Sequence, residues 1–178
     1  VSLTGILDVL VADPAIAGAL EAARSGPLGA RSELDLTAPA GVRPFVVAAL
    51  AARAERPVLL VTATGREAED LTTALRSLLA EHAVADFPAW ETLPHERLSP
   101  RSDTVGRRLA VLRRLAHPSA TDPAHGPLQV VVAPIRSVLQ PLVAGLGDLE
   151  PVAVDAGDEV ELDDVVRRLA AAAYTRVD

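Results

Sequence analysis

The sequence predicts an α/β domain, a parallel sheet with helices on both faces. Residues 56–64 (RPVLLVTAT) and 128–134 (LQVVVAP) hold continuous apolar runs of the kind shown by a strand covered on both sides. Each run is followed at once by residues whose apolar positions recur at helical spacing. Strand and helix candidates also alternate along the chain, as the crossovers of a parallel sheet require.

Taken in order, Leu3, Ile6, Leu7 and Leu10 repeat at helical spacing until Asp13 and Pro14, and residues 16–24 form a second short helix ending at Ser25, Gly26 and Pro27. Residues 33–37 (ELDLT) are the first strand candidate, 38–44 a loop, and 45–53 a helix with Pro44 at its permissive first position. After the strand at 56–64, Thr64 and Glu67 supply a capping box, and Leu71, Leu75 and Leu78 give the next helix one apolar stripe. A third strand, 83–87, leads into the proline-rich crossover 86–100, DFPAWETLPHERLSP. Asp103 is placed to cap a helix in which Val105, Leu109, Leu112 and Leu115 share a face, while Arg107, Arg108, Arg113 and Arg114 form a solvated one. Residues 117–127 are a loop, 128–134 the fourth strand and 135–143 a helix.

From residue 145 the composition shifts. Residues 149–160 suggest a strand or hairpin arm, and Leu162, Val165, Val166, Leu169 and Ala173 line a helix whose start is acidic, with Glu161, Asp163 and Asp164 suited to its dipole. One strand and one helix cannot bury a core by themselves. The expected division is therefore a domain over 1–144 and the first, truncated part of a small α+β domain over 145–178.

Composition narrows the chemistry. The chain has no cysteine and four scattered histidines, which excludes disulfides, thiolate chemistry and the usual zinc spacings. All 17 basic residues are arginine, so there is no lysine for a phosphate loop or a Schiff base. A net charge of −7 makes a poor partner for a nucleic-acid backbone. No apolar run is long enough to span a membrane and no signal peptide is visible, so the expected setting is cytoplasmic.

The loop 38–44 (APAGVRP) stands where a nucleotide-binding α/β protein places its phosphate loop. Counted back from the helix, Gly41 is followed by Val42 at the lysine position and Arg43 at the hydroxyl position. The place is right and the residues are wrong, so the reading is a degenerate, non-functional loop with no catalytic residues and no cofactor. Glu91, His95 and Glu96 in the crossover can be cast as an acid/base group, against the alternative of a solvated connector. Phe87 and Trp90 are read as anchors that pack the crossover on the sheet, stiffened by Pro88, Pro94 and Pro100.

At this point a resemblance enters. FPAWETLPHERLSPRSDTVGRRLAVLRRL, with Trp90 to Pro94, Ser99, Pro100, Asp103, Arg108 and Leu109, resembles the N-terminal, UvrB-like region of the bacterial transcription-repair coupling factors (Mfd), and LQVVVAPIRSVLQPL resembles the strand and helix that follow. The resemblance implies a RecA-like half-domain without ATPase residues, followed by a small domain that binds UvrA. It implies a non-catalytic role: recruiting UvrA to stalled RNA polymerase and helping to autoinhibit the full-length translocase, whose motor domains use ATP and magnesium. Polymerase and DNA would be engaged only through other regions, and no membrane would be. Tyr174 and Arg176 match a Tyr-x-Arg-x-Asp of the UvrA-binding domain and are the implied partner contacts. The alternatives left open by the residues are a nucleotide hydrolase with an unusual loop, or a purely structural domain of a helicase.

Overall fold

The structure is a computed structural model that describes residues 4–25, 33–92, 99–119, 121–122, 125–149, 152–154 and 156–171. Its centre is a three-stranded parallel sheet in the order β1-β3-β2, with β1 Val58–Thr62, β2 Val84–Asp86 and β3 Val130–Pro134. The helices are α1 (Thr4–Val11), α2 (Pro14–Ser25), α3 (Arg43–Arg53), α4 (Gly65–Arg76), α5 (Ser102–Ala116), α6 (Ile135–Leu139) and α7 (Leu162–Ala171).

β3 is central and buried along its whole length, which its Val-Val-Val-Ala run requires. Val58 registers with Val130 on one side, and Val84 registers with the same residue on the other. The crossover from β1 through α4 passes over β3 to reach β2; that from β2 through α5 returns between them. These moves run in opposite directions across the sheet, so a common handedness puts α4 and α5 on opposite faces. The two cores agree. Val84, Val130 and Val132 pack with Leu7 of α1, Val47 and Ala48 of α3, and Ala68 and Leu75 of α4. Ala85, Phe87, Val131 and Ala133 pack with Val111 of α5.

Several expected elements come out differently. Residues 33–37 have no regular secondary structure, are exposed and are not paired as a strand, with Leu34 and Leu36 open to solvent. β1 forms where expected but is not covered on both sides: Leu59 and Val61, on the α5 face, are exposed, because α5 reaches only β2 and β3. α6 stops at Leu139 rather than 143, since Gln140 precedes Pro141 and takes the extended backbone (ψ 136°) that a following proline imposes. The described part of 149–160 contains no strand. α5 begins at Ser102, and Asp103 lies inside its first turn rather than at the cap.

The chain after α6 turns back onto α5 through a single turn of 3₁₀ helix, Leu146–Asp148. Gly145 enters it with φ 85°, and Gly147 lies so close to α5 that a Cβ there would meet Leu112 O at 3.0 Å. Arg113 Nη1 donates to Asp148 O (3.2 Å), and His117 Nε2 lies 2.7 Å from Asp148 Oδ1.

Candidate functional site

The loop at 38–44 is built unlike a phosphate cradle. Gly41 and Val42 lie in a 3₁₀ turn, Ala40–Val42, closed by Val42 N–H donating to Pro39 O at 2.9 Å. A cradle needs successive N–H groups turned inward by a residue in the left-handed region. Among the described residues only Glu55, Gly145 and Gly157 have positive φ, so this loop contains none. A Cβ on Gly41 would meet nothing within 4 Å, so nothing approaches its backbone closely enough to require glycine.

The one cation of this loop is already matched. Arg43 Nη1 donates to Glu67 Oε1 at 2.9 Å. Glu67 is held by the start of α4: its N–H donates to Thr64 Oγ1 at 3.1 Å, and its Oε2 accepts from Ala63 N–H at 3.2 Å. The capping box foreseen at Thr64 and Glu67 therefore supplies the carboxylate that neutralises Arg43.

The crossover after β2 is organised around Arg108. Its guanidinium is sandwiched between the rings of Phe87 (4.1 Å) and Trp90 (4.3 Å) and donates from Nη1 to Pro88 O at 2.6 Å. Arg108 is 1% exposed, and its Nε and Nη2 are buried without a hydrogen-bond partner. Burial pulls its pKa below the ordinary arginine value. This corrects the expectation of a solvated arginine face. The buried positions of α5 are Thr104, Arg108 and Val111, a stripe at i, i+4 and i+7 rotated from the Leu109, Leu112 and Leu115 stripe. Arg114 is half-buried as well, donating from Nε to Gly126 O at 3.0 Å and from Nη2 to His82 O. The sequence offered only part of the signal, two aromatics in an aromatic-poor chain that need a packing partner, and nothing in the helical spacing of α5 singled out Arg108 as that partner.

Two further ties hold the crossover. Trp90 N–H donates to Gln140 Oε1 (2.8 Å), and Gln140 Nε2 donates back to Trp90 O (3.3 Å). Thr104 Oγ1 donates to Glu91, which draws that carboxyl's pKa down, the Thr104 bond being the largest cause. His95 and Glu96, the other members of the acid/base group, lie outside the described residues.

These groups meet at the carboxyl ends of the three strands, where the crossovers diverge to opposite faces and α/β sheets hold their ligands. A crevice of about 470 Å³ there is lined by Thr64, Asp86, Trp90, Glu91, Arg107 and Arg136, among others. Burial raises the Asp86 pKa above 3.8, although Arg107 beside it acts in the opposite sense. The crevice holds three acids, Glu69, Asp86 and Glu91, against two arginines, Arg107 and Arg136. Among the described residues no group of acids and histidines is arranged to hold a metal ion, and no helix is long and apolar enough to cross a membrane.

Tyr174 and Arg176 lie outside the described residues. The helix that precedes them, α7, shows an acidic first turn with Asp163 and Asp164, and leaves Leu162 (74% exposed) and Val166 (48%) uncovered.

Comparison with known proteins gives the chain its relatives. No family model matches it. It is 52% identical over 176 residues, 93% of its length, to the transcription-repair-coupling factors of Mycobacterium bovis and Mycobacterium tuberculosis. It is 28% identical over 139 residues, 76% of its length, to that of Bacillus subtilis. The chain spans 14% of the length of the mycobacterial relatives and 11% of the Bacillus one.

Proposed function

We propose that this chain, a region of a transcription-repair-coupling factor by its similarity to those relatives, serves transcription-coupled DNA repair as a non-catalytic docking module. Its task in this reading is to recruit UvrA to stalled RNA polymerase and to help hold the full-length translocase inactive. The observation that carries the non-catalytic part is the Arg43–Glu67 ion pair at 2.9 Å, in a loop without lysine and without a left-handed residue. Arg43 already has a carboxylate partner in Glu67, with which a phosphate would have to compete, and the flanking Pro39 and Pro44 have no N–H to offer one. Residues 145–178 are proposed as the start of the UvrA-docking domain, with Tyr174 and Arg176 as its contacts. The uncovered apolar side of α7 supports this reading, since a helix leaves such a stripe open when more protein is to cover it.

Titration calorimetry with magnesium ATP tests the first half. The expected trace is flat at concentrations where working nucleotide loops saturate, and binding in the low micromolar range would overturn the reading in favour of a nucleotide hydrolase. UvrA capture by the longer protein tests the second half.

A further inference from the structure

The outer edge of β2 lies at the bottom of a channel. β2 pairs with β3 on one side only, and α4 and α5, on opposite faces of the sheet, both overhang its other side. The space between them is a cavity of about 580 Å³. It shares Glu69, Asp86 and Arg107 with the crevice at the carboxyl ends of the strands, so the two run together along the strand edge.

The floor is a strand edge with backbone groups to offer. Phe87 N–H donates to Val132 O at 2.8 Å, so the alternation of the ladder turns the backbone groups of Val84 and Asp86 outward into the channel. Val84 O is met there by Arg76 Nη2 at 3.4 Å, near the limit of a hydrogen bond. Such a contact costs little to give up.

The walls contain groups short of partners. Thr72, 4% exposed, lines the channel with a buried hydroxyl that has no hydrogen-bond partner. A polar group left so keeps the cost of its desolvation with no return. Arg76 and Arg114 also line it; they bond to backbone carbonyls and have no carboxylate within ion-pair distance among the described residues. Arg107, by contrast, has Asp86 at 3.5 Å and Asp103 at 3.7 Å.

An unpaired strand edge recessed between two helices, with an unfilled hydroxyl and two guanidiniums that have no carboxylate within ion-pair distance among the described residues, matches one kind of occupant. We propose that the channel takes an extended acidic segment of a partner protein, which lies along β2 as a fourth strand and sets a carboxylate on Arg76 and Arg114. Arg76 then exchanges Val84 O for the carboxylate, which frees that carbonyl for a peptide N–H, and the Thr72 hydroxyl gains a partner. Nucleic acid fits worse, because it would carry a phosphate at every nucleotide past Glu69, Glu81 and Asp86, whereas the segment needs a carboxylate only where Arg76 and Arg114 stand. None of the residues lining the channel is among the proposed UvrA contacts, and the proposal stands or falls independently of them.

The test is a titration of the isotope-labelled chain, followed by amide NMR, with the blocked pentapeptide acetyl-Val-Glu-Val-Glu-Val-amide, its Gln-for-Glu counterpart and a short oligothymidylate. The acidic peptide is expected to shift Val84–Phe87 and the facing residues of α4 and α5, and to bind roughly fivefold or more tightly than the Gln peptide, as a charge-assisted bond exceeds a neutral one. Arg76 is exposed, so Arg76→Gln should fold normally and abolish that preference. Thr72→Val should leave the free protein equally or more stable while weakening the acidic peptide. No shifts at β2 up to millimolar peptide, equal binding of the two peptides by the wild type, or the same shifts produced at lower concentration by the oligonucleotide would each overturn the proposal.

Discussion

Arg108 carries a charge into the second core, and its two unpartnered nitrogens decide what its replacement does. A buried charge is costly to desolvate, and its ring contacts and its one bond to Pro88 O offset only part of that cost. An unbranched apolar side chain of similar length keeps the contact with Phe87 and Trp90 without the charge. Arg108→Met is therefore expected to melt within about 1 kcal/mol of the wild type or above it, whereas Trp90→Ala, which removes a wall of the sandwich, should cost about 3 kcal/mol. Denaturant unfolding of both variants measures the contrast; if Arg108→Met falls as far as Trp90→Ala, the charge itself holds the crossover. Asp86 offers a pH test. Its folded-state pKa is raised above 3.8, chiefly by burial, so the folded form takes up a proton more readily than the unfolded chain. The cost of keeping it ionised is complete above the raised pKa and disappears as pH falls from there towards 3.8. The wild type should thus gain stability relative to Asp86→Asn as pH is lowered through that window, and parallel stability curves would show that the carboxyl is effectively solvated.

Among the elements, α4 depends most on a single side chain. Thr64 accepts the Glu67 N–H at 3.1 Å from an extended backbone (φ −131°, ψ 157°), while Glu67 reaches back to Ala63 N–H and out to Arg43. Thr64→Ala should cost about 1 kcal/mol by losing the cap, read as a lower urea midpoint at unchanged slope. A loss well beyond that would mean that the cap also holds Glu67 on Arg43. α6 shows the converse, a helix ended early by the proline after Gln140, and the ending has a use. Gln140, out of the helix, sets its amide against both backbone groups of Trp90 and ties the crossover to the far side of β3.

For the whole molecule the open surfaces matter more than the cores. Leu59 and Val61 on β1, Leu139 at the end of α6, Val143 beyond it, and Leu162 and Val166 on α7 are exposed in a chain that spans 14% of its mycobacterial relatives' length. On the proposed reading, Arg176 contacts UvrA. Arginines are enriched among interface hot spots, where truncation costs roughly 2 kcal/mol or more, so Arg176→Ala in the longer protein should weaken UvrA binding about thirtyfold with the melting temperature unchanged. Unchanged affinity in a folded variant would remove Arg176 from the surface.

What the sequence by itself determined is the set of local decisions. Short Val and Leu runs bounded by turn residues read as strands, whether covered on both faces like β3 or on one like β1, and Thr64 with Glu67 can start a helix without tertiary help. The missing lysine at Val42, and the run from Trp90 to Pro94 on which the family resemblance rests, were equally legible. Tertiary structure decided whatever depends on who lies opposite. Residues 33–37 alternate like a strand yet join no sheet among the described residues, because alternation alone does not bring a neighbouring strand alongside. Arg108 lies in the core because the crossover folds Phe87 and Trp90 over that side of α5, and no helical period can tell a solvated arginine from one roofed by two rings. Arg43 is paired, and the outer edge of β2 recessed, for the same reason: charges and edges acquire their partners only when segments far apart in sequence are brought together.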